Sequence, residues 1–118
     1  MRGILLTLGV VVAGPVAGEV ALTVDLGPAG RVTAETYVCD ADETLPVRYV
    51  TAGANALAIL PVDGEERIFV NVVSASGSRY VSGAHVWWSK GDGATLENTL
   101  EGSLSDCTRG DEGPDGWR

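Results

Sequence analysis

The chain has 118 residues, 45% of them hydrophobic, with 16 Asp plus Glu against 8 Lys plus Arg and a formal net charge of −8. That length suits one small domain, and the hydrophobic share is ordinary for a chain that folds. So acidic a surface repels nucleic acid and anionic membrane and favours a cationic partner.

Residues 1–18, MRGILLTLGVVVAGPVAG, carry one positive charge at Arg2, an apolar run from Ile4 to Ala13 and a small-residue stretch from Gly14 to Gly18. That layout predicts a secretory signal peptide cleaved near Gly18; the run is shorter than the roughly 20 apolar residues of a spanning helix. No cysteine stands near the cleavage region to carry a lipid anchor. A soluble periplasmic or secreted protein is expected, with no stable membrane insertion after cleavage. Loss of residues 1–18 removes Arg2 and no acid, leaving seven basic groups against 16 acidic ones, a net charge of −9.

Residues 19–30 form a segment without a definite assignment, although Val20–Leu26 offers an additional strand. From residue 31 to 108 a single β domain is expected. Turn signals at Gly27-Pro28-Ala29-Gly30, Asp40-Ala41-Asp42, Asp63-Gly64, Ser76-Gly77, Ser82-Gly83 and Gly91-Asp92-Gly93 separate short runs rich in Val, Ile, Thr and Tyr. That spacing points to an all-β sandwich or barrel. Tyr37 and Cys39 share one face of their strand, as do Leu45, Val47 and Tyr49 of the next. Asn55–Leu60 is assigned as a strand because the Asp63-Gly64 turn follows so closely. Arg67–Val72 alternates too weakly to fix its inner face. In a strand over residues 85–90, His85, Trp87 and Ser89 face one way and Val86, Trp88 and Lys90 the other. One tryptophan then fills the core while its neighbour packs at the rim. Residues 109–118, RGDEGPDGWR, are charged and rich in glycine, and a disordered acidic tail is expected there. The Arg109-Gly110-Asp111 tripeptide within it is a chance match to an adhesion sequence.

An exported chain with two cysteines, Cys39 and Cys107, is expected to join them in a disulfide. The bridge would tie the first strands to the last and, on the loop-entropy estimate, contribute about 4 kcal/mol. Two cysteines and the single His85 do not complete a tetrahedral zinc site. Asp40, Asp42 and Glu43 lack the spacing and the glycine of a calcium loop. Neither Ser76 nor Ser78, the serines available to His85, sits in a strand-to-helix elbow. The acids lie mostly in turns and in the tail, not as a positioned catalytic pair. No metal, no cofactor and no catalysis are expected. What remains is binding, and the conspicuous group is Lys90, the one lysine of the chain, placed after two tryptophans and before a glycine.

The order of these residues resembles the bacterial inhibitors of C-type lysozyme, periplasmic or membrane-bound (MliC-like). The family's S-G-x-x-Y motif stands as Ser76-Gly77-Ser78-Arg79-Tyr80, within the fuller run from Ser74. Its Y-x-x-x-T-K-G motif stands as His85-Val86-Trp87-Trp88-Ser89-Lys90-Gly91, with His85 for the tyrosine and Ser89 for the threonine. Tyr37-Val38-Cys39-Asp40, Leu45-Pro46-Val47-Arg48-Tyr49, Gly93-Ala94-Thr95-Leu96 and Cys107 fit the strands before and after, so the likeness covers about residues 37 to 107. The resemblance implies an antiparallel β-barrel of about eight strands. It implies inhibition of a C-type lysozyme by two loops that plug the enzyme's cleft. Ser76 and Lys90 would be the inserted residues, and Gly77, Tyr80, Ser89 and Gly91 would complete the lysozyme-binding set. It also implies that the tyrosine replaced by His85 shapes the second loop. The alternative reading is an envelope β domain that binds peptidoglycan through an exposed Trp87 or Trp88, or another envelope protein, without inhibiting lysozyme.

Overall fold

The computed structural model describes residues 18–40 and 42–110. The signal-peptide expectation therefore lies outside the described residues except for Gly18, and so does the tail beyond Gly110. Eight strands follow in order: β1 (Arg31–Cys39), β2 (Glu43–Ala52), β3 (Asn55–Val62), β4 (Glu65–Val72), β5 (Ser78–Ser82), β6 (His85–Lys90), β7 (Gly93–Asn98) and β8 (Ser103–Arg109). Each pairs antiparallel with the next, and β8 returns to β1, so the sheet closes into a barrel. Closure removes the unpaired edges that an open sheet would present.

The topology follows from the turns. Two-residue connections join β3 to β4 at Asp63-Gly64 and β6 to β7 at Gly91-Asp92. Gly91 has φ 58° and opens its turn, as a type II′ hairpin requires of its first central residue. The longest connection in the barrel is residues 73–77, between β4 and β5.

Alternation decides what lies inside. Tyr37 and Cys39 of β1, Val47 of β2, Ala58, Leu60 and Val62 of β3, Phe69 of β4, Tyr80 of β5, Trp87 of β6, Ala94 of β7 and Cys107 of β8 form one core, with Leu45 and Tyr49 packed against it. Trp87 is 0% exposed, so it is the tryptophan that fills the interior. Phe69 resolves the inner face of β4, which weak alternation had left open. The large aromatic groups also satisfy one another's polar atoms. The Trp87 indole N–H donates to the Tyr49 hydroxyl at 2.9 Å, and the Tyr37 and Tyr49 hydroxyls share a hydrogen bond of 2.8 Å. Tyr37 meets Trp87 edge to face, with ring centres 5.0 Å apart. An aromatic core of this kind needs such partners, because an unpaired buried N–H or O–H costs more than its hydrogen bond contributes.

The β1–β8 seam is only three register pairs long, Tyr37 with Arg109, Val38 with Thr108 and Cys39 with Cys107. The disulfide Cys39–Cys107 lies in that seam and fastens it.

Two expectations are corrected. Val20–Leu26 adds no strand: it pairs with no neighbour, and Val20, Leu22 and Val24 are exposed. Arg109 and Gly110 do not belong to a disordered tail. Arg109 ends β8, where its guanidinium meets Asp92 at 2.6 Å and Glu35 at 3.8 Å, and the Gly110 N–H donates to the Thr36 carbonyl. Composition marked the segment as solvated because it did not show that these two residues still have a neighbouring strand to pair with.

Candidate functional site

The β5–β6 hairpin brings the two motifs together. Ser78 pairs with Ser89 and Arg79 with Trp88, so the residues that precede β5 reach the same rim as those that end β6. Ser76 lies exposed in the 73–77 loop, and Lys90 lies exposed at the end of β6. Gly77 closes the space between them. Its φ is 69°, and a Cβ there would overlap the Lys90 stem and the Ser89 carbonyl. Only glycine combines that left-handed backbone with so close an approach. The Ser76 carbonyl is held from two sides: the Trp88 indole N–H donates to it at 2.9 Å, and the Ser74 hydroxyl donates to it as well. The loop is thus tied to β6 by hydrogen bonding as well as by packing.

Lys90 is not consumed inside the molecule. Among the described residues the ion pairs are Arg48–Glu66, Arg109–Glu35 and Arg109–Asp92, and none includes Lys90. Its ammonium instead sits over the Trp88 ring, 4.6 Å from the centroid, and the Arg79 guanidinium lies 5.8 Å from the same centroid. A cation on an indole face keeps its charge and its capacity to donate hydrogen bonds, and gains only modestly at an exposed site. Beside Lys90 a groove of about 660 Å³ crosses the outer face of β6, β7 and β8, with Trp88, Thr95, Glu97 and Asp106 on its walls.

Of the residues singled out from the sequence, Ser76, Gly77, Ser89, Lys90 and Gly91 gather at one rim of the barrel. Tyr80 does not. It is 7% exposed, packs at a tilt against Tyr49, and burial pushes its phenol above the ordinary tyrosine range. Its place is in the core beneath the loop, because inward parity in β5 turns it away from any partner surface. His85 corrects a second expectation. It pairs with Ser82 and Asn98 at the end of β6 opposite Lys90, so it has no part in shaping the Gly91 turn. Its Nδ1 is buried with no hydrogen-bond partner among the described residues. Trp87 is removed from any glycan-binding role by its complete burial. From the sequence Trp88 has a task only at the rim or in the glycan-binding alternative, although strand parity already put it on the face of Lys90. Asp92 and Arg109 were also missed. Arg109 holds the Lys90 turn through its own N–H to the Asp92 carbonyl and its guanidinium to the Asp92 carboxylate.

Among the described residues no group of His, Cys, Asp and Glu is arranged to hold a metal ion, and no helix is long and apolar enough to cross a membrane.

Comparison with known proteins bears on the family and the fold. Residues 37–104 match the family described as membrane-bound lysozyme-inhibitor of c-type lysozyme. A relative of that name from Cupriavidus necator is 41% identical over 70 residues, which are 59% of this chain and 56% of the relative. Another, from Pseudomonas aeruginosa, is 42% identical over 67 residues, 56% of this chain and 53% of its own length. The chain thus spans about half the length of the curated relatives it matches. The barrel superposes on Pseudomonas aeruginosa MliC, solved in complex with hen egg white lysozyme, with a TM-score of 0.63 and 33% identity over 82% of this chain and 99% of that one. The family match takes in more than half of the chain and both rim motifs, and the chain belongs to the family of membrane-bound lysozyme inhibitors of C-type lysozyme.

Proposed function

We propose that this chain inhibits a C-type lysozyme, in the periplasm or outside the cell, by inserting the Ser76 loop and the Lys90 turn against the enzyme's catalytic carboxylates. The observation that carries the reading is the juxtaposition at one rim. An exposed serine and an exposed ammonium that pairs with no acid among the described residues lie on either side of Gly77, on segments already tied together.

A C-type lysozyme cleft holds one protonated and one ionised carboxyl group. An ammonium offers three donors and no acceptor, which suits the ionised group; a hydroxyl donates or accepts, which suits either state. Hydrogen bonds to charged groups contribute about 1.5–3 kcal/mol each. Loops already ordered in the free protein lose little freedom on binding, so more of that interaction appears as affinity. The acidic body of the inhibitor meanwhile accelerates its encounter with a basic enzyme.

A cell-wall lysis assay with a C-type lysozyme tests the function. The wild-type chain should stop lysis at stoichiometric levels, and Ser76→Ala should weaken it while the melting temperature stays unchanged. If lysis proceeds at full rate with saturating protein, the inhibitor reading fails. Retention of the chain on purified peptidoglycan in the same experiment would then favour the glycan-binding alternative, with Trp88 as its remaining aromatic contact.

A further inference from the structure

We infer that Trp88 is a positioning residue for both inhibitory tips, fixing Ser76 through its indole N–H and Lys90 through its ring face. The inference rests on the inhibitory reading of Ser76 and Lys90, but it assigns a role that neither motif contains.

One side chain makes both contacts. The indole N–H donates to the Ser76 carbonyl at 2.9 Å, and the Lys90 ammonium lies 4.6 Å from the centre of the same ring. Ser76 lies in the connection 73–77 and Lys90 ends β6 beside the Gly91-Asp92 turn, and strand pairing constrains neither Ser76 nor the far end of the Lys90 side chain. A lysine stem has four rotatable carbons and loses much freedom when held. Resting the ammonium on the indole narrows the set of rotamers it samples before any partner arrives. The Ser76 carbonyl accepts from Ser74 as well, so the loop keeps one hydrogen bond without Trp88 and loses its tie to β6. Trp88 is half-buried and outward-facing, and the core tryptophan is Trp87. Trp88 is therefore free to serve the site without being essential to the barrel.

Two substitutions separate the two contacts. Trp88→Phe keeps a ring under Lys90 and removes the N–H; Trp88→Leu removes both. The first readout needs no lysozyme. In the wild-type protein the Lys90 side-chain methylene protons should be displaced upfield by the indole ring current. They should stay displaced in Trp88→Phe and return to free-lysine positions in Trp88→Leu. Methylene signals at free-lysine positions in the wild type would overturn the inference directly.

The second readout is the inhibition constant. Losing a neutral hydrogen bond should weaken Trp88→Phe by about two- to tenfold, and losing the cation–ring contact should take Trp88→Leu to roughly ten- to fiftyfold. Acting through Ser76 and Lys90 means the losses are not additive. In a Ser76→Ala background, Trp88→Phe should cost less than about twofold. In a Lys90→Ala background, so should the step from Phe to Leu at position 88. Full additivity, with the melting temperature held, would mean that Trp88 works independently of the tips, and the inference would fail while the inhibitory reading stood. If Ser76→Ala and Lys90→Ala themselves leave inhibition intact, the inhibitory reading and this inference fail together.

Discussion

At the scale of single residues, Gly77 carries more of the site than its lack of a side chain suggests. A Cβ there would collide with the Lys90 stem and the Ser89 carbonyl, and φ of 69° is a conformation that other residues adopt at a cost of about 1 kcal/mol or more. Gly77→Ala should therefore push the two tips apart. Inhibition should fall at least tenfold while the barrel still melts cooperatively; an alanine variant that inhibits like the wild type would show that tip spacing does not matter. A second residue-scale effect lies in the core. Burial first, then the hydrogen bond to Tyr49, pushes the Tyr37 phenol above its ordinary value near 10. Above that pH the unfolded chain releases a proton that the folded chain retains, so the unfolded state binds fewer protons and stability falls as pH rises. Below it stability is level with respect to this group. Chemical denaturation between about pH 8 and pH 11 should show that fall, and it should be shallower in Tyr37→Phe. Motif spelling made Ser76, Gly77 and Lys90 legible in the sequence. It misplaced Tyr80, because a motif records which residues recur and not which way each one points.

At the scale of elements, β6 explains why the site was partly readable. Period-two alternation separates Trp87 from Trp88 and puts Trp88 and Lys90 on one face, and the barrel keeps that separation. Alternation within one strand does not say which other loop faces Lys90. That follows from the β5–β6 register, which pairs Ser78 with Ser89 and was not determined by local pattern. The same limit applies to the C-terminal end of β8. Arg109 looked like solvated tail, yet it anchors the Gly91-Asp92 turn from a neighbouring strand by one backbone and one side-chain hydrogen bond to Asp92. The guanidinium is partly exposed, and exposed ion pairs contribute between 0 and about 1 kcal/mol. Arg109→Ala should thus leave the fold intact and weaken inhibition by up to about fivefold, through a looser Lys90 turn. The measurement is an inhibition titration beside a thermal melt. Loss of folding would mean instead that Arg109 secures the seam, and no change at all would mean that the turn holds itself.

At the scale of the whole molecule, closure of the barrel and its charge are the two global properties the site depends on. The β1–β8 seam has three register pairs and one disulfide, spanning 68 residues of sequence. Replacing Cys39 and Cys107 together by serine should lower unfolding free energy by about 2–5 kcal/mol, read from denaturant midpoints with and without reductant. An all-β chain with closely spaced turns was legible from composition and alternation. Closure into a barrel of eight strands came from the family resemblance and is borne out; alternation alone did not give it, because the pairing of β1 with β8 joins residues far apart in sequence. The acidic surface predicts that association with a basic lysozyme slows as salt is raised, since charges beyond about 10 Å are screened at 0.1 M. An on-rate indifferent to salt would remove steering from the account. The central claim is that Lys90 is a cation offered to the enzyme's catalytic acids, and a double-mutant cycle across the interface tests it most directly. Affinity is measured for wild type and Lys90→Ala, against a C-type lysozyme and against the same enzyme with its two catalytic carboxyl groups changed to amides. Truncating one member of a buried charge pair costs about 2–5 kcal/mol, so Lys90→Ala should bind the unaltered enzyme at least about thirtyfold more weakly. Against the amide enzyme its loss should shrink to less than about threefold. An equal loss against both enzymes would place the ammonium somewhere other than at the carboxylates and contradict the account.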